Sequence, residues 1–482
     1  MTTYISDFIQ NTLHLSRDTP LGWTVFYLYF FIAMASLYTF IIVVATPYII
    51  SRYREQSVDD IYSITRSDSL PGLTFIVPAY NECKSIAWTV RTLLNLSYRY
   101  KQIIVVNDGS IDDTLEILIK NFSLVQIPAF KSPKLTSKLI RGYYQSQEYP
   151  ELRVIDKENG GKADALNAAL NICQTPIFAT TDADTLIDDT SLNYLIRPFL
   201  EESETLVVHS SIGIVNGCKL AENRIIKPGF PKKWFAAFQV IEYIRTFYCD
   251  RMCWEWSKGS LIVAGVFGIY KADVVIEVGG YSTNSVVEDM EIIMRIHRYM
   301  LEAKREYHIK FIPDVVAWTE VPANLEALTK QRLRWYTGTT QCLLDYRGMC
   351  FNPKYKSIGM IIVPFYFIDK FVPIIELSGY FVVLIFGVFL NVLDLKMFLL
   401  LALICWAYTT FLTFTCILVE EFTFRKYPDF WGTLRMLGFA MIENISYRFI
   451  VLYLKLRGLI ITKKKAKHWI VTPKEGFEKI EG

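Results

Sequence analysis

Hydrophobic residues follow two different patterns along the chain. Residues 22–50 contain no charged side chain, and residues 371–391 and 397–420 form two further long, mainly apolar runs. Helices of this length are sufficient to cross a hydrocarbon core roughly 30 Å thick. The pattern therefore predicts three membrane-spanning helices, the last two of which form a hairpin closed by residues 391–396.

Residues 72–345 show the second pattern, in which short β-branched apolar runs alternate with stretches of helical periodicity. The predicted strands are residues 73–78, 102–106, 152–155 and 177–180, and the predicted helices include residues 82–96 and 161–172. This alternation is typical of a doubly wound, largely parallel α/β sheet. Ligands bind such sheets at the carboxyl ends of the strands, so we expect the functional residues there.

Two other segments, residues 355–368 and 428–458, mix apolar residues with aromatic or charged ones. We predict that both lie along the membrane surface. The alternative for the second segment is a fourth span near residues 437–454. That span would place Glu443 and Arg448 near the bilayer centre, at a cost of roughly 2.5–3.5 kcal/mol each.

Basic residues are distributed unevenly around the predicted spans. Only Arg17 precedes the first span and only Lys396 lies in the hairpin link, whereas several Lys and Arg residues follow the first and third spans. The positive-inside rule then predicts that residues 72–345 and the C-terminus are cytoplasmic and that the N-terminus is outside. We expect a multi-pass protein of the plasma membrane.

The composition favours a partly membrane-embedded protein and gives no reason to expect a nucleic-acid partner. Hydrophobic residues make up 52% of the chain, and the formal net charge is only +3. The histidines and cysteines are scattered, and the pair Cys249 and Cys253 has no second pair to complete a zinc site. The candidate chemistry therefore rests on carboxylates and on arginine.

Three motifs in residues 72–345 contain carboxylates that are candidates for chemistry. Asp182-Ala183-Asp184 follows a predicted strand, where two hard oxygen donors can hold Mg²⁺ or Mn²⁺, although a solvated acidic turn has the same composition. Asn107-Asp108-Gly109-Ser110 also has the composition of an ordinary turn. Glu288-Asp289 precedes a helix, where a carboxylate is either a cap or, with its pKa raised by its neighbour, a general base.

Two further motifs combine basic residues with helix geometry. Gly160 and Gly161 permit close backbone approach, and Lys162 opens a helix whose positive end favours an anion, although a plain loop-to-helix joint would look the same. In the pentapeptide at residues 331–335, Gln-Arg-Leu-Arg-Trp, the first, fourth and fifth residues share one helical face. Its arginine can bind a diphosphate and its indole can support a sugar ring. A helix on the membrane surface is the alternative.

In this order, before a run of membrane spans, these elements resemble the processive, membrane-embedded glycosyltransferases of family 2. Those enzymes build cellulose, chitin, hyaluronan or poly-N-acetylglucosamine from nucleotide sugars. The resemblance covers nearly the whole chain and implies an α/β catalytic domain of the GT-A (Rossmann-like) type. The Gly-Lys-Ala-Asp-Ala-Leu-Asn segment at residues 161–167 and the Trp-x-x-Thr-Pro tail are most similar to poly-β-N-acetylglucosamine synthases.

The resemblance also implies roles for individual residues. Asp289 would be the catalytic base with Glu288 beside it, and Asp184 and Asp182 would hold Mg²⁺ or Mn²⁺. Trp335 would bind the acceptor. The residues implied to bind the UDP-sugar donor are Pro78, Tyr80, Glu82, Asp108, Lys162, Asp182, Gln331 and Arg334. The residues implied to form a gating segment in the tail are Trp469 and Thr472. Val287 stands where many relatives have threonine, which leaves the acceptor preference open.

We predict four regions in the chain. They are an N-terminal span and linker at residues 1–71, a cytoplasmic transferase domain at 72–345, interfacial helices and a hairpin at 346–458, and a basic tail at 459–482. The expected reaction is inverting and metal-dependent. It transfers a sugar, with N-acetylglucosamine the best match, from a UDP-sugar to a growing β-linked glycan.

Three alternatives differ from this prediction in the reaction. They are a cellulose-like glucan synthase, a non-processive transferase that glycosylates a membrane lipid once, and a membrane scaffold with a degenerate transferase domain. Three spans are few for a closed polysaccharide channel, so export through a homo-oligomer or with an accessory membrane protein stays open. The expected partners are the UDP-sugar, the glycan acceptor and the lipid bilayer.

Overall fold

The computed structural model describes residues 20–58, 70–130, 133–221, 224–382 and 395–461. A long N-terminal helix, α1 (Pro20–Val58), precedes a mixed α/β domain. The strands of that domain are β1 (Leu73–Ala79), β2 (Lys101–Asp108), β3 (Leu124–Ile127), β4 (Ile140–Ser146), β5 (Leu152–Lys157), β6 (Ile177–Thr181), β7 (Thr185–Ile187), β8 (Thr205–Ile214), β9 (Lys219–Ala221), β10 (Arg224–Lys227), β11 (Phe267–Lys271) and β12 (His308–Thr319).

Helices connect these strands and cover the sheet. They are α2 (Ile86–Leu94), α3 (Thr114–Asn121), α4 (Lys162–Leu170), α5 (Asp189–Glu201), α6 (Trp234–Arg245), α7 (Met252–Trp256), α8 (Ala272–Glu277), α9 (Glu288–Glu302) and α10 (Leu325–Asp345). A π-helical turn, Thr246–Arg251, joins α6 directly to α7. Four helices then follow the domain, namely α11 (Val363–Val382), α12 (Leu395–Phe422), α13 (Phe430–Glu443) and α14 (Tyr447–Ile460).

Ten strands form one sheet in the order β3-β4-β5-β2-β1-β6-β11-β8-β12-β7. The four strands predicted from the sequence are β1, β2, β5 and β6, and they form the parallel centre. The prediction of an α/β fold of the GT-A type is confirmed. The prediction of a largely parallel sheet is wrong, because β11 pairs antiparallel with β6 and β8, and β3, β4 and β7 also pair antiparallel.

The central strands bury both of their faces. All seven residues of β1 are buried, which explains why its sequence is a continuous apolar run without alternation. Phe75 and Val77 belong to one core cluster, whereas Ile76 lies in the second cluster on the opposite face. The first cluster also contains Ile41 and Ala45 of α1, so the N-terminal helix packs against the α/β domain. This contact holds the first of the predicted membrane-spanning helices against the α/β domain.

Three helices in the described residues are long and apolar enough to cross a membrane: Val25–Arg54, Ile358–Phe381 and Leu399–Phe422. The second of these begins in the segment 355–368 that we predicted to be interfacial. A π turn at Ile358–Ile362 continues directly into α11, so the start of this helix has to be moved to Ile358. Residues 383–394, with the predicted end of this span and most of the hairpin link, lie outside the described residues.

The segment predicted to be interfacial at residues 428–458 forms two helices, α13 and α14, that are bent by 57° relative to each other. By length and composition, this bent pair qualifies as a broken fourth span or as a re-entrant element. The two charged residues that a fourth span would place near the bilayer centre are paired. Glu443 forms an ion pair with Arg245 at 2.5 Å, and Arg448 forms one with Glu376 at 2.6 Å.

Candidate active site

One cavity of about 1130 Å³ begins at the carboxyl ends of the central strands and continues between the membrane helices. At one end its lining includes Pro78, Tyr80 and Glu82, three residues predicted to bind the donor. Toward the other end its lining includes Glu376 of α11 and Thr413 of α12. The predicted reaction site and the helices that could cross the membrane thus share a single continuous space.

The loop after β1 is tied to the loop after β2. Asn81 has a positive φ of 56°, and its backbone N–H donates to the Ser110 hydroxyl at 3.0 Å. Its side-chain oxygen in turn accepts from the backbone N–H of Ile111 at 2.9 Å. These bonds fix the position of Tyr80 and Glu82 at the rim of the cavity.

Asp108 lies at the end of β2 but does not line the cavity. Its carboxylate is fully buried and accepts from the Lys157 ammonium at 2.5 Å and from the backbone N–H groups of Gly160 and Gly161 at 3.0 and 2.7 Å. Gly161 has a φ of 89°, a conformation that a residue with a side chain rarely adopts. In this structure Asp108 holds the glycine loop that precedes α4, and its role in binding the donor stays a prediction.

Lys162, the first residue of α4, lies at the centre of the acidic part of the cavity. Its ammonium donates to Asp182 at 2.6 Å and to the carbonyl oxygen of Gly265 at 2.8 Å, and it lies 3.5 Å from Glu288. Burial alone would lower the pKa of Lys162, but the Asp182 and Glu288 carboxylates outweigh it and hold that pKa above its usual value. The predicted donor and catalytic residues therefore form one electrostatic network.

The two predicted metal ligands, Asp182 and Asp184, both line the cavity. Asp184 is buried and accepts from the Thr319 hydroxyl at 3.4 Å, whereas Asp182 is partly exposed and faces Lys162. Within the described part of the chain, no group of three or more His, Cys, Asp or Glu residues is placed to hold a metal ion. A pair of carboxylates still fits Mg²⁺, which keeps several waters and takes further oxygens from substrate phosphates.

Asp289 and Glu288 open helix α9 and both face the cavity. One oxygen of Asp289 accepts from the backbone N–H of Met290 at 2.8 Å. Burial, followed by the adjacent Glu288 charge, raises the pKa of Asp289 to about 6, while Lys162 and Arg334 oppose that shift. A carboxylate with its pKa near neutrality is suited to take a proton from a hydroxyl group.

Gly265 makes room for this carboxylate. A Cβ atom at this position would lie only 2.8 Å from Oδ2 of Asp289 and 3.5 Å from the Lys162 ammonium. Any larger residue would therefore displace Asp289 or Lys162. Sequence reasoning missed Gly265 because a glycine between two apolar strand-like segments carries no local signal of what approaches it.

Helix α10 carries the pentapeptide at residues 331–335. All five of its residues line the cavity, among them Gln331, Arg334 and Trp335, whose spacing predicts a common face. The side-chain oxygen of Gln331 is buried without a hydrogen-bond partner among the described residues. The helix therefore presents an arginine, an amide and an indole to the space beside Asp289.

Arg332 of the same pentapeptide has a different position. Its guanidinium is 3% exposed, donates two bonds to Glu242 at 2.9 and 2.8 Å, and lies 4.5 Å from the centre of the Trp335 ring. The Tyr447 hydroxyl of α14 also donates to Glu242 at 2.9 Å. Arg332 and Glu242 thus form an ion pair in the cavity wall, and this pair contacts the predicted acceptor platform.

Sequence reasoning missed Glu242 and Lys157 as well as Gly265. For Lys157 a signal was present, because β2 and β5 are parallel strands whose register places Asp108 opposite Lys157. A charged residue at each end of two adjacent apolar strands predicts such a pair. Glu242 carried no comparable signal, since nothing in the sequence of α6 indicates that its partner lies on α10. Trp469 and Thr472, predicted to form the gating segment, lie outside the described residues.

Comparison with known proteins agrees with this geometry. The family model "Glycosyl transferase family 2" matches residues 74–127, and "Glycosyltransferase like family 2" matches residues 136–338. Curated relatives include poly-beta-1,6-N-acetyl-D-glucosamine synthases from Staphylococcus aureus (strain COL), 28% identical over 299 residues, and from Staphylococcus epidermidis, 27% identical over 295 residues. The matches cover 62% and 61% of this chain and only 61% and 60% of those relatives.

A more distant likeness is found among solved structures. It is to the mannosyltransferase PcManGT from Pyrobaculum calidifontis in complex with GDP-Man and Mn²⁺, with a TM-score of 0.47 and 16% identity. That comparison covers 86% of this chain and 99% of the solved one. The two family models together span most of the α/β domain and include the aspartates, Lys162 and the helix that carries Trp335. The chain is a glycosyltransferase that belongs to family 2.

Proposed function

We propose that this protein is a membrane-embedded polysaccharide synthase that polymerises a sugar, with N-acetylglucosamine the best candidate, from a UDP-sugar donor. The observation that carries this proposal is the single cavity that joins Asp289 to the helices able to cross the membrane. A glycan extended beside Asp289 would already lie in the space that leads between those helices. The similarity to poly-beta-1,6-N-acetyl-D-glucosamine synthases supports N-acetylglucosamine as the sugar.

The proposed reaction is a direct displacement at the anomeric carbon. Asp289 takes the proton of an acceptor hydroxyl, the hydroxyl oxygen forms the new glycosidic bond, and the bond between the anomeric carbon and the diphosphate breaks to release UDP. A single in-line displacement inverts the anomeric configuration. Asp289 suits the role of base because burial and Glu288 raise its pKa to about 6, so that it is ionised at neutral pH and can still accept a proton.

Donor binding would involve both ends of the α/β domain. Pro78, Tyr80 and Glu82 line the rim, while Lys162 and Arg334 bring positive charge to the interior. An arginine can bind a diphosphate through two hydrogen bonds, which stabilises the charge that grows on departing UDP. Asp108 would act on the donor indirectly, through the glycine loop that it holds.

Asp184 and Asp182 would hold a divalent cation, either Mg²⁺ or Mn²⁺. Both are hard oxygen ligands that line the cavity, as such ions prefer. A bound cation would supply charge neutralisation for the leaving diphosphate. Lys162 already occupies one oxygen of Asp182, so the lysine and the cation would compete for this carboxylate.

The membrane arrangement that we propose follows the distribution of basic residues. The catalytic domain is cytoplasmic, the N-terminus is outside, and the product passes toward the helices that line the far end of the cavity. The chain has three spans, or four if the bent pair crosses the membrane. With this number of spans, the product could be exported through one chain, through a homo-oligomer or with an accessory protein. Single-particle imaging of the purified protein would separate these arrangements.

The proposal is tested by incubating purified protein with UDP-N-acetylglucosamine and, separately, UDP-glucose, and measuring product length. A β-linked polymer of N-acetylglucosamine supports the proposal, and a glucose polymer would indicate a glucan synthase. A lipid carrying one sugar would show single transfer, and no turnover with either donor would contradict the proposed function.

A matched pair of variants completes the test. Asp289 and Asp273 each accept a bond from the next backbone N–H at the start of a helix, at 2.8 and 2.7 Å. Only Asp289 lines the cavity. Asp289→Asn should therefore lower the transfer rate by roughly 10²–10⁴-fold with UDP binding retained, whereas Asp273→Asn should not.

A further inference from the structure

Arg251 is a buried cation that the proposed reaction does not use. Only 8% of the residue is exposed, and its Nη1 atom has no hydrogen-bond partner among the described residues. Its guanidinium lies 5.9 Å from the centre of the Phe247 ring. Burying a charged group without hydrogen bonds is unfavourable, so this position needs an explanation.

The location of Arg251 provides one. It lines the same cavity as Asp289 and as Tyr366 of α11. It is the last residue of the π-helical turn Thr246–Arg251, and π turns inside helices occur frequently at functional sites. Arg251 thus lies where the cavity leaves the catalytic domain and enters the membrane helices.

The neighbouring walls are those of a sugar site. Trp254 lines the cavity beside Arg251, and its ring meets Phe365 at 4.7 Å and Tyr366 at 6.3 Å. Asp250 also lines the cavity and offers a carboxylate acceptor. Apolar aromatic walls with a few converging polar groups are typical of small-molecule and sugar pockets.

The charge of the whole cavity restricts the ligand. Acidic and basic side chains line it in equal number, so the lining carries no net formal charge that would attract an anionic polymer. The groups that an uncharged sugar offers to an arginine are hydroxyl oxygens and, in an N-acetylated sugar, the acetamido carbonyl oxygen.

We propose that Arg251, with Trp254 and Asp250, forms a second acceptor subsite that binds the penultimate sugar unit of the growing glycan, next to the terminal unit at Trp335. The guanidinium donates to a hydroxyl or acetamido oxygen of that unit, and the indole contacts its apolar face. This proposal rests on the proposed function, since it requires a growing glycan. It adds a binding site on the membrane side of the pentapeptide helix.

The test compares acceptors of different length. Transfer from UDP-N-acetylglucosamine is measured with a β-1,6-linked N-acetylglucosamine tetrasaccharide and with the monosaccharide, for the wild type, Arg251→Met and Arg251→Lys. In the methionine variant the KM for the tetrasaccharide should rise roughly tenfold, since a hydrogen bond from a charged group is lost. The KM for the monosaccharide and for the UDP-sugar should stay unchanged, and lysine should give a smaller rise.

Arg153→Met is the matched control. Arg153 also has a buried Nη1 atom without a partner among the described residues and lies 5.6 Å from the Phe130 ring centre, but it does not line the cavity. It should leave the KM for both acceptors unchanged. If the methionine variant does not fold, the KM of the lysine variant for the tetrasaccharide tests the subsite, because lysine keeps the charge and most of the length of arginine.

Two results would overturn the subsite. One is an unchanged KM for the tetrasaccharide in both Arg251 variants, and the other is an equal rise for tetrasaccharide, monosaccharide and UDP-sugar. A wild-type protein that transfers nothing from UDP-N-acetylglucosamine to either acceptor would reject the proposed function together with the subsite. An active wild type with unaffected variants would reject the subsite alone.

Discussion

The pH dependence of transfer should report the ionisation of Asp289. Burial and the Glu288 charge raise the pKa of Asp289 to about 6, and a general base acts only when it is ionised. For a single ionisation, about a tenth of the enzyme is active one pH unit below the pKa and about nine tenths one unit above it. The rate at pH 7 should therefore exceed the rate at pH 5 roughly tenfold.

Glu288→Gln isolates the electrostatic part of this effect. Glu288 is the second cause of the raised pKa, after burial, so removing its negative charge should lower the pKa of Asp289. The acid limb of the profile should then move to lower pH, and the variant should retain a larger fraction of its own maximal rate at pH 5. Glu302→Gln changes a carboxylate at the other end of α9 that does not line the cavity, and it should leave the limb in place.

The assay is the initial rate of UDP release from about pH 5 to about pH 8 at constant ionic strength, with each variant expressed relative to its own plateau. A limb that does not move in Glu288→Gln would refute the assignment of the titrating group to Asp289. So would a shift of the same size in Glu302→Gln, because a general change in charge would then explain both.

The remaining predictions concern the cation and the pentapeptide helix. Asp184→Ala should abolish transfer, and wild-type activity should vanish with EDTA and return with Mg²⁺ or Mn²⁺; full activity in EDTA would contradict the cation site. Arg334→Ala should weaken UDP affinity, whereas Trp335→Ala should lower polymer yield at unchanged UDP affinity. If the two variants change UDP affinity and polymer yield to the same extent, Arg334 and Trp335 do not have separate roles. Arg332→Met or Glu242→Gln leaves the other partner of the ion pair buried and unpaired, which should cost about 3–5 kcal/mol of folding stability and alter the fluorescence of Trp335. If the double variant loses as much stability as the two single variants combined, the two residues are not coupled.

The parallel centre of the sheet could be predicted because its information is local. Each of β1, β2, β5 and β6 is a short apolar run bounded by turn residues, and such runs predict buried strands without knowledge of their partners. Strand β8 could not be recognised in this way. It is buried along its whole length but contains His209, Ser210 and Ser211, which interrupt the apolar pattern. Its polar residues are accommodated by neighbours distant in sequence, as in the bond between His209 and the Ser260 hydroxyl at 2.9 Å.

The same distinction holds within the site. The spacing of Gln331, Arg334 and Trp335 is a property of one helix, so their common face follows from the sequence. The position of Asp108 is not local, because Lys157 and the glycine loop that surround its carboxylate lie about fifty residues further along the chain. The turn composition of residues 107–110 does not indicate whether Asp108 is buried, and only the packing of β2 against β5 reveals that it is.

The membrane helices show how an energetic argument from sequence changes once partners are known. The cost that disfavours a fourth span is that of isolated charges at the bilayer centre, and Glu443 and Arg448 are not isolated. Glu443 pairs with Arg245 and also lies on the same cavity as Glu376, the partner of Arg448. Charged residues within membranes mostly face protein or water-filled space and pair with each other. Glu443 and Arg448 both line the cavity, so their charges have partners inside the protein, and the cost of isolated charges does not exclude that the bent pair crosses the membrane as a broken span.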